Sequence, residues 1–334
     1  MESWLLDILR CPQDGQPVKQ AAEHLECSNG HRYLVVDGIP VMLFDDKNAT
    51  HDYIRKTLEK VSRIEGGEPV GEVVEIRTNS PGEIDPYVPE NLPYTCGNLY
   101  FPAMKGIDRY PFPDLRIAKA SAGELLIDIG CNWGRWSIAA SEKGYRAVGI
   151  DPSLDAALAA QRIARQLDRS AVFVVGDARS LPFATNAFDK AFSFGVFQHF
   201  SKTNTNLALD EMSRVLKNGH EAVVQMATST GIRSRQQHRR RGFTEGDGFD
   251  VRYWSPDELV STFESKFGPT KLTADSYFGL CVHRSDADIM PLRFRIIVYT
   301  SELLRRASLI FKPLAKVADG VYLHSINSRS SRDR

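Results

Sequence analysis

ELLIDIGCNWGRWSIAASEKGYRAVGIDPS, residues 124–153, is the stretch on which the fold turns. ELLIDI is apolar on both faces and stops at Gly130, the pattern of a parallel strand covered on both sides. WSIAASEKG has helical spacing and closes on Gly144, and YRAVGID is a second buried strand. Outward from there the alternation continues. PSLDAALAAQRIARQLD (152–168) reads as a helix, AVFVVGD (171–177) and FDKAFSFG (188–195) as strands, NTNLALDEMSRVLKNG (204–219) as a helix and HEAVVQMA (220–227) as a fifth strand. Repeated β-α-β units with short connections predict an α/β fold with a doubly wound, Rossmann-like parallel sheet. Ligands bind such sheets beyond the C-terminal ends of the strands, so the residues there are the candidates.

Three strand ends carry a signal. After the first come Asp128, Gly130, Asn132 and Gly134. Gly130 permits a sharp turn and close approach of a ligand, Asn132 tolerates a left-handed backbone, and Gly134 permits close helix–strand contact. The second strand ends at Asp151, a carboxylate suited to two ribose hydroxyls. The third ends at Asp177-Ala178, where a carboxylate and the next backbone N–H can read an adenine edge. Each piece alone is an ordinary turn or helix cap. The spacing G-x-N-x-G differs from the dinucleotide fingerprint G-x-G-x-x-G.

Together LLIDIGCNWGRW, AVGIDPS, VVGDARSLPF, FDKAFSFGVFQHF and RVLKNG resemble the class I S-adenosylmethionine-dependent methyltransferases, in particular the branch of ubiquinone and menaquinone methyltransferases. The resemblance covers roughly residues 119–230. It implies a seven-stranded sheet with one antiparallel strand and S-adenosylmethionine as cofactor. Asp128 and the Gly130–Gly134 loop would hold the methionine end, Asp151 the ribose, and Asp177 with Ala178 the adenine. Ser193 and Phe194 would border the sulfonium. Asn132 departs from the family's usual glycine.

His199, in GVFQHF, follows the fourth strand and is a candidate general base, since an imidazole titrates near neutrality. The alternative is a residue that caps or packs the next helix. ATSTGIRSRQQHRRRGFTEGDGFDVRYWSPDEL (227–259) places Arg233, Arg235, His238, Arg239, Arg240 and Arg241 within nine residues, in an insertion expected to cover the acceptor. Guanidiniums there suit phosphate or carboxylate, although a solvated charged face reads equally well. Arg239, Arg240 and Arg241 are the candidate substrate cations, and Tyr253 and Trp254 the candidate aromatic wall. Ser255, Pro256 and Glu258 spell a helix start.

The remaining zones divide the chain into residues 1–46, 47–118, 119–285 and 286–334. The first contains LLDILRCPQD and LECSNGHRY and resembles the small zinc-ribbon family that activates tRNA and protein methyltransferases as a separate subunit. It also resembles the zinc knuckle of bacterial 23S rRNA guanine methyltransferases, with Asp14 in place of the second cysteine. The ligand set this implies is Cys11, Asp14, Cys27 and His31, a possible structural zinc site by donor type. The alternative is a ribbon without metal. Residues 47–118 read as linker and helical or irregular substrate-side extension. Residues 286–334 read as a basic helical extension, since 291–334 holds nine Lys or Arg against three acids. Its apolar stripe is expected to pack on its own domain, the other reading being peripheral contact with an anionic membrane through 291–320.

Composition bounds the rest. The chain has 334 residues and equal numbers of basic and acidic ones, 42 each, which argues against nucleic acid as a bulk partner. Five scattered cysteines and the lack of a basic leader or bilayer-length apolar run are the pattern of a cytoplasmic protein. The expected partner is a small-molecule acceptor, with no reading of oligomeric state. The leading expectation is methyl transfer to a small-molecule or lipid/glycan biosynthetic intermediate, an anionic one in view of the arginines. RNA methylation and a non-catalytic cofactor-binding scaffold are the alternatives.

Overall fold

The computed structural model describes residues 1–44, 52–74, 82–104, 106–281 and 283–328. Chain order begins α1 (Ser3–Ile8), β1 (Val18–Ala21), β2 (His24–Cys27), β3 (Arg32–Val36), β4 (Ile39–Met42), α2 (Asp52–Glu65), α3 (Val70–Val73) and α4 (Tyr87–Cys96). It continues β5 (Leu125–Ile129), α5 (Arg135–Glu142), β6 (Arg146–Asp151), α6 (Leu154–Gln166), β7 (Val172–Gly176), β8 (Phe188–Phe194) and α7 (Lys202–Val215). The last elements are β9 (Leu216–Ala227), α8 (Ile232–Arg240), α9 (Pro256–Lys266), β10 (Thr270–Ser276), α10 (Leu292–Ile310) and β11 (Gly320–Ile326). The chain forms two units, one of residues 1–83, 118–191 and 207–217, the other of 84–117, 192–206 and 218–334.

In the first unit the strands run β1-β2-β3-β4-β7-β6-β5. β5, β6 and β7 are parallel, with Ile127 beside Val148 and Ile150 beside Val174. Past the first residue of each strand their Ile, Leu and Val side chains are buried on both faces, as the continuous apolar runs require. α6 turns Leu154, Leu158, Ile163 and a run of alanines inward, and Ser153 caps it by accepting from the Ala156 N–H at 3.3 Å. The small alanine side chains allow close packing: a Cβ on Gly134 would stand 3.0 Å from both Ala160 Cβ and the Phe173 ring.

Residues 1–44 are not a free-standing lobe. Asp37 and Gly38, both at positive φ, turn β3 into β4, as a two-residue hairpin demands. β4 then pairs in parallel with β7, Val41 opposite Val175 and Met42 opposite Gly176. Arg10 N–H donates to the Pro182 carbonyl at 2.9 Å and Ala184 N–H to that of Ile8 at 2.8 Å. A segment this short buries too little apolar surface by itself and is completed by the larger sheet.

In the second unit β9, β11 and β10 are adjacent and antiparallel, with Val321 opposite Met226 and Ala274 opposite Val321. The expectation of a helical segment over 286–334 is therefore corrected. α10 is followed by β11, the antiparallel strand that lies between β9 and β10, and Val321, Tyr322 and Leu323 are buried there. Arg329, Arg332, Asp333 and Arg334 lie outside the described residues. α9 starts as its sequence specifies: Ser255 Oγ accepts from the Glu258 N–H at 3.2 Å, with Pro256 in the first turn.

Candidate functional site

The ends of β5 and β6 are joined by a backbone grip. Asn132 has φ +44° and its N–H donates to Asp151 Oδ2 at 3.0 Å, while the Ser153 N–H donates to Asp151 Oδ1 at 2.9 Å. Gly130 and Gly134 have φ of +77° and +81°, so the loop takes three left-handed residues in five, and Asn replaces glycine there without loss of the conformation. Gly149 is crowded as well. A Cβ there would meet Ser137 Oγ at 2.7 Å, Cys131 Sγ at 2.8 Å and Phe173 Cδ1 at 2.8 Å.

Of the two carboxylates at this end, Asp128 is buried and Asp151 half-buried. Burial pushes Asp151 up to about 6, against the lowering effect of the Ser153 and Asn132 amides. Burial pushes Asp128 up to about 7, opposed by Ser137, whose hydroxyl donates to Oδ2 at 2.7 Å. Asp128 Oδ1 is buried with no hydrogen-bond partner among the described residues. A buried acceptor in that state is a place for a ligand's donor. At the end of β7, Asp177 is held by its own neighbour: Arg179 Nε lies 3.0 Å from Oδ2, and the Arg179 N–H donates to Oδ1 at 2.9 Å. Ala178 beside it is buried. Sequence reasoning missed Thr57 of α2. Its hydroxyl donates to the Pro152 carbonyl at 2.8 Å and accepts from the Leu154 N–H at 3.3 Å, fixing the turn after Asp151. The sequence reading of 47–118 as linker and extension held nothing that tied Thr57 to this turn.

In the second unit, Ser193 is fully buried and the Phe194 ring packs 5.4 Å from His283 and 6.0 Å from Tyr322. His199 stacks on Phe249 at 4.0 Å, and its Nδ1 donates to the Phe249 carbonyl at 2.7 Å. That bond fixes the tautomer, so the neutral ring carries its lone pair on Nε2. Arg239 and Arg240 are exposed on α8. Arg241 is engaged in the fold: it donates to the Val251 carbonyl at 2.6 Å, lies 3.2 Å from Asp250 and covers the Tyr253 ring at 5.3 Å. Trp254 is buried rather than lining an open wall, and its indole N–H has no hydrogen-bond partner among the described residues.

Two further groups here carry little sequence signal. Asp319, which entered the sequence reading only as one acid of the tail, accepts from the Ser234 N–H and the Phe278 N–H, each at 2.7 Å, and so ties the start of α8 to the segment after β10. Gln225 Nε2 donates to buried Asp275 at 3.4 Å, which directs Oε1 the other way, 3.7 Å from where a Cβ on Gly195 would stand. Oε1 of Gln225 and Oε1 of Gln198 are buried without hydrogen-bond partners among the described residues.

In the N-terminal segment, Cys11, Asp14, Cys27 and His31 converge, their ligand atoms all within 4.8 Å of one another. His31 Nδ1 is 3.4 Å from Cys11 Sγ, 3.5 Å from Cys27 Sγ and 3.1 Å from Asp14 Oδ2. Ligand bonds of ~2.0–2.3 Å in a tetrahedron put ligands about 3.3–3.8 Å apart, so the donor set fits a zinc ion by type, and two of the three His31 distances fall in that range. Tyr33 OH lies 3.0 Å from Cys11 Sγ and itself accepts from Gln13 at 3.0 Å, an outer layer of the kind that orients ligands.

A family model described as a methyltransferase domain matches residues 126–219. A demethylmenaquinone methyltransferase of Renibacterium salmoninarum is 34% identical over 106 residues, 31% of this chain and 42% of that protein. The tRNA (carboxymethyluridine(34)-5-O)-methyltransferase alkbh8 of Xenopus tropicalis is 31% identical over 117 residues, 34% of this chain and 17% of that protein. The chain thus spans less than half the length of either relative. Among solved structures, a Haemonchus contortus phosphoethanolamine N-methyltransferase in complex with S-adenosyl-L-methionine superposes with a TM-score of 0.46 at 16% identity, over 74% of this chain and 61% of that one. Residues 126–219 thus resemble a methyltransferase domain, and the chain has the expected α/β fold. Relatives named for quinone, fatty-acid and tRNA acceptors all match the chain, so the similarity does not determine the acceptor class.

Proposed function

We propose that the chain transfers the methyl group of S-adenosylmethionine to an anionic small-molecule or lipid/glycan biosynthetic intermediate. The observation that carries the donor half is the Asn132–Asp151 bond at 3.0 Å, which fixes a carboxylate and a left-handed loop side by side at adjacent strand ends. Asp151 would accept from the ribose hydroxyls and Asp128 Oδ1 from the donor's ammonium. Asp177 and Ala178 would meet the adenine, with Arg179 holding the carboxylate in place. The sulfonium supplies an already activated methyl, so the chain's residues chiefly align the acceptor and exclude water.

On the acceptor side, the Nδ1 bond of His199 to a carbonyl supports its role as a base through Nε2. The exposed Arg239 and Arg240 support an anionic acceptor, and the Gln198 and Gln225 amide oxygens offer acceptors for its hydroxyl or amine groups. Arg241 and Trp254 serve the cover's own structure in this reading. A zinc ion on Cys11, Asp14, Cys27 and His31 would brace the N-terminal hairpins. One zinc per chain by elemental analysis, reduced in Cys27→Ser, is the expected result.

Calorimetry with S-adenosylhomocysteine tests the donor half. Binding is expected in the parent chain and at least about 100-fold weaker in Asp151→Ala, a loss of the size expected for a buried charged hydrogen-bond acceptor. Affinity should also fall as pH drops through about 6, because hydroxyl donors favour the ionised Asp151. Methyl transfer to a panel of quinone, lipid and sugar intermediates then tests the acceptor. Transfer to RNA alone would replace that half, and cofactor binding with no transfer to any of these would leave a scaffold.

A further inference from the structure

α10 is amphipathic the wrong way round. Its inward face holds Val298, Ser301 and Ser308, whereas Leu292, Ile296, Tyr299, Leu303, Ile310 and the following Phe311 are 52% to 90% exposed. At 3.6 residues per turn, positions 292, 296, 299, 303 and 310 fall within about 60° of one another around the axis. The stripe thus runs the full length of a 19-residue helix. The expected packing of this stripe on its own domain is not what the structure shows. Isolated exposed apolar residues are ordinary, but a continuous row is an interaction surface. No helix among the described residues is long and apolar enough to cross a membrane.

The charges beside the stripe select its occupant. Arg293, Arg306 and Lys312 are exposed. The only acids between 291 and 320 are Glu302 and Asp319. Glu302 is held by Arg305 at 2.7 Å and Arg306 at 2.8 Å, with Arg116 at 3.5 Å, and Asp319 is buried. A second copy laid stripe to stripe would set these cations against one another with no exposed acid in the segment to answer them. An anionic bilayer answers both features at once. Its acyl boundary takes the apolar row, including an aromatic at mid-helix and another at the end, and its headgroups take the flanking guanidiniums and ammonium.

We propose that α10 and Phe311 form a peripheral docking surface for an anionic phospholipid membrane, lying in the interface plane. The test is sedimentation of the full chain with phosphatidylcholine vesicles prepared with and without phosphatidylserine. Binding is expected on the serine-containing vesicles and should weaken with added salt. Ile296→Asp and Leu303→Asp should each bind roughly tenfold less, the cost of one lost apolar anchor, with an unchanged melting temperature. Failure of the parent chain to sediment with anionic vesicles would overturn the proposal, as would binding by the two variants as tight as that of the parent. So would a concentration-dependent dimer, seen in solution by ultracentrifugation, that the same substitutions dissolve. Cofactor binding by the variants is a separate readout and does not bear on this proposal.

Discussion

α6 and α10 are built from similar residues and face opposite ways. α6 buries Leu154, Leu158, Ile163 and its alanines and leaves Arg165 exposed; α10 buries two serines and a valine and leaves Leu292, Ile296, Leu303, Leu309 and Ile310 exposed. Periodicity identifies an apolar face but not what covers it. A sheet covers the face of α6, and nothing among the described residues covers that of α10. Their carboxylates differ in the same sense. Asp128, in the unit of α6, is pushed up by burial, whereas Glu302 of α10 is held down at about 2 by Arg305 and Arg306.

The sharpest way to break this comparison is one substitution in each helix. Ile163→Asp puts an unpaired charge into a closed core and should cost about 3–5 kcal/mol, enough to unfold the first unit. The matching Ile296→Asp should stay within about 0.5 kcal/mol in chemical denaturation. Equal losses would mean that the α10 stripe is covered after all. A smaller effect should be read in the pH dependence of stability. Asp128 titrates near 7 folded and near ~3.9 unfolded, so its contribution is fully present below pH ~4 and is lost as pH rises through about 7. Asp128→Asn should flatten that decline in a urea titration series between pH 4 and 8, windows taken from those two values, and weaken cofactor binding at the same time. The smallest effect is the mirror image. Glu302, depressed to about 2 from ~4.3, contributes stability present above pH ~4.3 and lost as pH falls through about 2. Glu302→Gln should remove that acid-side loss, by about 1–2 kcal/mol after solvent screening, and leave the neutral-pH profile alone.

Much of the candidate site can be read along the chain because its residues are local to three strand ends. Gly130, Asn132 and Gly134 lie within five positions, and Asp151 follows one helix later. What sequence reading missed comes from far away along the chain. Thr57 reaches the Pro152 turn from 95 residues upstream, and Asp319 reaches Ser234 from 85 residues downstream. Neither has a local pattern, since a hydroxyl or carboxylate becomes a clamp only when distant backbone amides or carbonyls arrive. The tail misled for a related reason. GVYLHSI follows a long helix and is too short to show a period of its own, and it becomes a strand because β9 and β10 present unpaired edges to it.

Sequence alone determined the alternating strand–helix order, the left-handed loop after β5 and the cap of α9, all of which rest on residue type and short spacing, whereas Cys11, Asp14, Cys27 and His31 were named only through a resemblance and are brought together by the fold. Tertiary structure alone decided that β4 extends the sheet alongside β7, that β11 belongs between β9 and β10, that Arg241 and Trp254 are held within the fold, and that the apolar side of α10 points to solvent. Strand pairing and burial are properties of what lies opposite a residue, and residues far apart in the chain meet only once it has folded.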